Sequence, residues 1–458
     1  MRRIGVLGHY GGMDASRADH ADHAHEPDRY DPAAEVVDIC RDLIRIDTTN
    51  FGDQPGPGER KAAELVATLL DEVGIESELW EAEPGRTNVL ARWGGTEGEP
   101  LLLHGHLDVV PADADDWQVH PFAGEIQDGQ LWGRGAVDMK DFDAMLLSVV
   151  RARTRADAVP DRPIVLCFTA DEEAGGTKGA GPLVEAKREW FEDCTYAVGE
   201  VGGFSTTVRG RRLYLIEAAE KGMAWMRLTA TGNAGHGSMR HPDNAVTTLA
   251  EAVARIGRHH WPVELTPTMQ VLMATVGELA GVEATPENAE ELVEEFGPAS
   301  RMLAAVLRHT TNPTMLDAGY KVNVVPGRAT AQIDGRFLPG REEEFVATLR
   351  ELAGPDVEIE WITKMHGLET PYDGEMAAAM TSSILEEDPD ALVAPYLMSG
   401  GTDAKYFTDL GMRAFGFAPL RLPEDLDFTG LFHGVDERVP VDALEFGARV
   451  FDRFLGKI

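Results

Sequence analysis

The sequence predicts a mixed α/β protein: a mostly parallel sheet flanked by helices, interrupted by an inserted α+β domain. Three observations carry this expectation. Short apolar runs alternate with amphipathic stretches, the rhythm of parallel strands joined by helical crossovers and covered on both faces. That rhythm changes near Arg212 and resumes after Gly340. The chain has 458 residues, more than the roughly 250–300 that one hydrophobic core usually serves.

Residues 1–30 are rich in Asp, His, Ala and Gly without an apolar period and read as a disordered tail, in which His20, His23 and His25 offer only a stray metal site. Val36, Val37, Cys40, Leu43 and Ile44 then form one helical face. Ala62, Leu65, Val66, Leu69, Leu70 and Val73 form a second, closed by Gly74. Apolar runs at 88–93, 101–104, 164–170 and 196–198 read as buried strands, with a helix at 139–153 among them. The segment 213–231 reads as two strands, 245–256 as a helix, and 320–325 and 329–337 as strands. Within this block 286–308 reads as an acidic helical elaboration. A last amphipathic helix is expected at 441–455. The expected organisation is a tail (1–30), one domain built from 31–212 and 341–458, and an inserted domain at 213–340.

Composition narrows the function. With 43% hydrophobic and 26% charged residues the chain is an ordinary soluble type. No apolar run reaches the length of a membrane-spanning helix, and the N-terminus lacks the apolar core of a secretory signal, so no membrane association is expected. The net charge of -36 repels phosphate backbones and argues against a nucleic-acid partner. Cys40, Cys167 and Cys194 are too few and too scattered for a disulfide scaffold or a cysteine zinc site. They read as reduced thiols in a cytoplasmic protein.

The chemistry-bearing residues gather at the ends of expected strands, where open α/β sheets collect ligands. An apolar strand runs into HGHLD at 104–108. Asp108 is placed to accept one ring proton of His106, leaving the other nitrogen for a metal. GRGAVDMK at 133–140 puts Asp138 at a helix start, and DEEAGG at 171–176 follows another apolar strand with Glu172 and Glu173. VGE ends at Glu200, and FHG near the C-terminus supplies His433. Each piece alone is an ordinary loop feature. Together they supply two imidazoles and several carboxylates, a donor set suited to zinc, and adjacent carboxylates call for a cation to offset their repulsion.

In this order, the motifs resemble the zinc-dependent family of aminoacylases, acetylornithine deacetylases, succinyl-diaminopimelate desuccinylases and glutamate carboxypeptidases. The resemblance covers the chain after residue 31. It extends to the insert through GHGSM at 235–239, and through Asn323-Val-Val-Pro with Asp334-Gly-Arg336. It implies a zinc exopeptidase-like catalytic domain with a lid, and two zinc ions per subunit, cobalt or manganese being alternatives. Asp138 would bridge the ions, His106 and Glu200 would complete one, and Glu173 and His433 the other. Glu172 would be the general base and Asp108 the orienter of His106. His236 would reach into a partner subunit and steady the oxyanion, in a homodimer formed through the lids.

Paired metals acidify water and polarise a carbonyl, and a free carboxylate beside them shuttles the proton to the leaving amine. Glu172 and Glu173 divide the tasks of base and ligand. The expected substrate is a small amide or peptide with a free carboxylate. Arg336 is expected to hold that carboxylate with its two-pronged fork, an ion pair with Asp334 being the alternative. Asn323 joins it as a substrate-binding residue. Gly401 and Thr402 resemble a glycine-rich substrate loop whose N–H groups hold an anion, a plain turn being the alternative. His104, Trp117 and Trp132 read as structural, and Asp171 as a loop orienter. Two other functions compete: a metal-free binding protein of the same fold, opposed by the intact donor set, and a zinc aminopeptidase without a lid, opposed by the insert.

Overall fold

The computed structural model describes residues 30–458; the reading of residues 1–29 as a tail lies outside the described residues. Ten strands form one mixed sheet. Its centre is parallel: Pro163–Thr169, Leu101–His106, Tyr196–Gly199 and Arg413–Gly416 lie side by side. Antiparallel strands extend it, Ser77–Glu81 and Thr87–Gly94 on one side and Arg211–Glu220 on the other. Leu392–Met398 runs parallel to Arg211–Glu220, and Phe204–Val208 antiparallel to it.

Side-chain alternation explains the continuous apolar runs. Leu101 and Leu103 enter one buried cluster while Leu102 enters the cluster on the opposite face. Ile164, Leu166 and Phe168 follow the first, Val165 and Cys167 the second. Both faces are covered, so no position along these strands needs a polar residue. The helix Lys140–Arg155 lies against Val36–Ile44 and Val441–Leu455, and its residues 140–151 are buried all round.

A second, antiparallel sheet has the order Thr310–Ala318, Arg328–Phe337, Gly222–Thr231, Val357–Met365. The helices Ala245–Gly257 and Glu342–Ala353 supply Leu249, Ile256, Phe345 and Leu349 to its core. This unit begins at Gly222 rather than 213, because Arg211–Glu220 pairs within the large sheet. It runs to Met365 rather than 340, because Val357–Met365 pairs with Gly222–Thr231.

Two further expectations are corrected. The segment 286–308 is helical in part, as Ala289–Glu294 and Ser300–Ala305, but it leaves the lid. Together with Pro267–Ala280 it buries Met269, Leu272, Val293, Phe296 and Leu303 in the core of the large sheet. A strand at 320–325 is absent, since Gly319 adopts a left-handed φ of 76° and ends Thr310–Ala318, leaving only Val324–Val325 to pair with Gly235–His236. Thr310–Ala318 contains Pro313, which its place at the edge of the sheet allows.

Candidate metal centre

Because the central strands are parallel, their carboxyl ends share one edge. Leu101–His106 ends on His106, Pro163–Thr169 leads to Glu172 and Glu173, and Tyr196–Gly199 leads to Glu200. Asp138 lies two residues before the helix Lys140–Arg155. His433 comes from the last long loop, at a left-handed φ of 57°.

These residues converge. One Asp138 oxygen lies 3.2 Å from His106 Nε2, and the other lies 3.2 Å from His433 Nε2. Glu200 is 3.4 Å from His106 Nε2, and Glu173 is 3.0 Å from His433 Nε2. The result is two donor groups, His106–Asp138–Glu200 and Asp138–Glu173–His433, sharing one carboxylate. Glu172 approaches His106 Nε2 at 3.8 Å and belongs to neither group.

Asp108 works differently from the expectation. Its backbone carbonyl, not its carboxylate, accepts the His106 Nδ1 proton at 3.0 Å, the carboxylate being 3.6 Å away. That still leaves Nε2 facing the cluster. The carboxylate instead accepts the N–H groups of Glu172 and Glu173, each at 3.1 Å, so it fixes the loop bearing base and ligand.

The surroundings hold further residues that sequence reasoning missed. Asn50 donates to Asp108 at 2.8 Å and to Asp171 at 3.2 Å. Arg86 donates to Asn50 at 2.8 Å and to the buried Glu59 at 2.6 Å. On the other side Arg134 pairs with buried Glu437 at 2.6 Å and donates to the Gly434 carbonyl at 2.9 Å. Glu437 also accepts the Val137 N–H at 2.8 Å, so the loops carrying Asp138 and His433 are tied together. Arg134 stood inside GRGAVDMK and was legible there, and Glu437 follows FHG by three residues. Asn50 and Arg86 sit in segments without a strand-end signature.

The donors suit divalent cations. Glu173 Oε1 is buried without a hydrogen-bond partner, an orphan that a cation would satisfy. Crowded acids also draw protons onto the site. Hydrogen bonds to Asp138 and Glu173 raise His433 to about 10. Burial opposes a charged His106, yet the Glu200 and Asp138 carboxylates lift it well above its usual value. Burial and the Asp138 charge raise Glu173 to about 7, and burial with Glu200 raises Glu172.

Residues 102–457 match the model of peptidase family M20/M25/M40. The chain belongs to this family. Its fold is that of M20 metallohydrolases, and it is a hydrolytic enzyme. It is 27% identical to human aminoacylase-1, over 92% of this chain and 94% of that protein. It is 27% identical to the N-fatty-acyl-amino acid synthase/hydrolase PM20D1 of Xenopus tropicalis, over 90% and 83%. A probable carboxypeptidase S-like 2 of Dictyostelium discoideum is 29% identical over 77% and 71%. Among solved structures, the M20 metallo-carboxypeptidase Sso-CP2 of Sulfolobus solfataricus superposes with a TM-score of 0.69 at 18% identity, over 92% of this chain and 99% of that one. The Bacillus subtilis YXEP protein, a dinuclear metal binding peptidase of the M20 family, gives 0.59 at 14%, over 93% and 98%.

The remaining expected residues of this M20 enzyme lie elsewhere. His236 is exposed on the lid, its Nδ1 2.8 Å from the Ser238 hydroxyl. Exposed Asn323 accepts the Gly237 N–H through its carbonyl at 2.9 Å, beside His236. Arg336 donates two-pronged to Asp334, at 2.7 and 3.2 Å, which is the ion pair named as the alternative to a substrate carboxylate. Gly401 is exposed, but Thr402 gives both its N–H and its hydroxyl to Glu220, at 3.1 and 2.6 Å, so neither donor is free for a substrate anion. His104 is buried against Phe407, and burial lowers it to about 3, a neutral packing residue. Trp117 and Trp132 lie under the guanidiniums of Arg134 and Arg438.

The raised values fix a linkage. At pH 7 His433 holds a proton that a cation must displace, so cation uptake releases protons and tightens as pH rises. Titrating chelator-treated protein with zinc in buffers of different ionisation enthalpy should show net proton release at pH 7. Binding without proton release would mean that the acids around His433 do not hold it protonated at pH 7.

Proposed function

We propose that the two donor groups hold two zinc ions, with cobalt or manganese as substitutes, and that the enzyme hydrolyses N-acyl amino acids or short peptides bearing a free carboxylate. When bound, such ions acidify water and polarise a carbonyl oxygen. One observation carries the assignment of roles: Glu172 stands 3.8 Å from His106 of one donor group, next in the chain to Glu173 of the other, and belongs to neither. In this reading its carboxylate takes the proton of the attacking water and delivers it to the leaving amine nitrogen. Asp108 holds it in place through the Glu172 N–H. Glu172→Gln should keep the metal content and lose about a hundredfold or more in turnover. Metal analysis beside steady-state rates checks this, and near-native turnover would assign the base elsewhere.

The substrate class is supported by the aminoacylase and acyl-amino-acid hydrolase relatives. Arg336 is the carboxylate receptor in this reading: Asp334 takes its Nε and Nη2 on one side, and the Nη1 side is the part that would meet a substrate carboxylate at a partly exposed place on the lid. Arg336→Lys should weaken free-acid substrates by about tenfold while sparing their amides, since one ammonium cannot copy the fork. Equal losses on both would leave Arg336 a structural partner of Asp334. The three cysteines are unpaired and buried, which supports a cytoplasmic setting.

We also propose a homodimer through the lids. Thr310–Ala318 is an edge strand with Met315 60% and Leu316 64% exposed, and Tyr320 beyond it is 83% exposed. An open strand edge with apolar side chains is suited to pairing with a second copy. His236 then serves the partner's oxyanion, a donor worth a few kcal/mol of barrier. Mixing inactive His236→Ala with inactive Glu172→Gln chains should restore activity, since mixed dimers hold one complete site. Verified mixing without recovery would mean that each chain works alone.

A further inference from the structure

The first crossing from the large sheet to the lid sheet is a single residue, Lys221, between the ends of Arg211–Glu220 and Gly222–Thr231, and the chain returns through His366 and Gly367. Its neighbourhood is buried and charged: Glu220, Lys221 and Lys405 are all 2% exposed or less. The Lys221 N–H is held by the Met398 carbonyl at 3.0 Å. Its ammonium donates to the carbonyls of Ala305 and Arg308, at 2.9 and 2.8 Å, and to the Thr310 hydroxyl at 3.2 Å, where the chain re-enters the lid. The return crossing packs against the first, since a Cβ on Gly367 would lie 2.9 Å from the Gly222 nitrogen.

Glu220 faces the other way. Its carboxylate accepts the Thr402 N–H and hydroxyl and pairs with Lys405 Nζ at 3.3 Å. Lys405 donates back to the Lys221 carbonyl at 3.0 Å, closing a ring between hinge and loop. From Thr402 the contacts continue to the catalytic loop. Asp403 accepts the Thr169 hydroxyl at 2.7 Å, and the Tyr406 hydroxyl donates to the Gly175 carbonyl at 2.6 Å. Thr169 and Gly175 bracket Glu172 and Glu173 in the chain.

We propose that Glu220 is a positioning residue for hydrolysis: it ties the lid hinge to the segment 402–406, and through that segment to the loop carrying Glu172. A lid that swings on Lys221 then keeps its register with the general base. Glu220 is fully buried and its carboxylate is engaged by Thr402 and Lys405, so in this proposal it acts through geometry.

The test uses the full-length, zinc-loaded enzyme. Glu220→Gln removes one acceptor and the charge partner of Lys405, and Thr402→Val removes the hydroxyl bond at similar volume. Nitroxides on cysteines placed at exposed Glu185 of the helix Ala180–Ala186 and exposed Glu351 of the lid helix Glu342–Ala353 report the distance between domains. Both variants should keep their metal content and KM, lose about tenfold to a hundredfold in kcat, and show a broadened distance distribution. Thr402→Ser should restore kcat and width together. A native width in a folded variant overturns the proposal, as does a kcat loss matched by metal loss. Should Glu220→Gln fail to fold, the two Thr402 variants decide. Should no tested N-acyl amino acid or dipeptide be turned over, the distance measurement decides, so a failed substrate assignment is separable from a failed hinge.

Discussion

The two oxygens of one carboxylate organise this protein. Asp138 turns one oxygen toward each imidazole, so the two donor groups cannot move independently. A shared carboxylate imposes a narrow tolerance, because any shift that improves one group strains the other. The loops around it are accordingly tied on both sides. Asp108 and Asn50 hold the Glu172–Glu173 segment, while Arg134 and Glu437 bind the Asp138 loop to the His433 loop. Charged pairs this deeply buried contribute little net stability over apolar packing, and breaking one is costly. Their presence here is explained by the geometry they maintain.

The same division between rigid and adjustable parts recurs at the scale of domains. The metal donors stand on one sheet and its loops, whose core is continuous on both faces. Arg336 stands on the other sheet, which has its own core, and His236 with neighbouring Asn323 on the small ribbon of Gly235–His236 and Val324–Val325. The helices between 267 and 305, although inserted within the lid segment, pack on the large sheet and brace the crossing at Lys221. The insert is therefore two structures in sequence order and one hinge in space.

Much of this was legible in the sequence. Parallel strands buried on both faces leave uninterrupted apolar runs, and residues that follow them must share an edge, so the convergence of His106, Glu173 and Glu200 was readable from position alone. The sheet boundary near 213 was not, because Arg211–Glu220 and Gly222–Thr231 are equally strand-like and only their partners differ. Pairing across the chain carries no local mark. The role of Asp108 escaped for a related reason: both its carbonyl and its carboxylate can meet a histidine two residues earlier, and backbone direction chooses between them. Thr402 read as a free anion donor because its acceptor, Glu220, lies far away in sequence and carries no motif.

The position of His433 has a consequence for biogenesis. His106, Asp138, Glu173 and Glu200 all precede the lid, whereas His433 follows it, close to the last helix, Val441–Leu455. During synthesis the donors of the first group and two of the three donors of the second therefore precede the insert and the returning strands. The second group closes only when the last loop emerges and docks through Arg134 onto the Asp138 loop. Since contacts so distant in sequence form late, completion of the binuclear centre becomes a checkpoint on the whole fold: a chain truncated before this loop keeps most of its donors and gains none of the second cluster's grip.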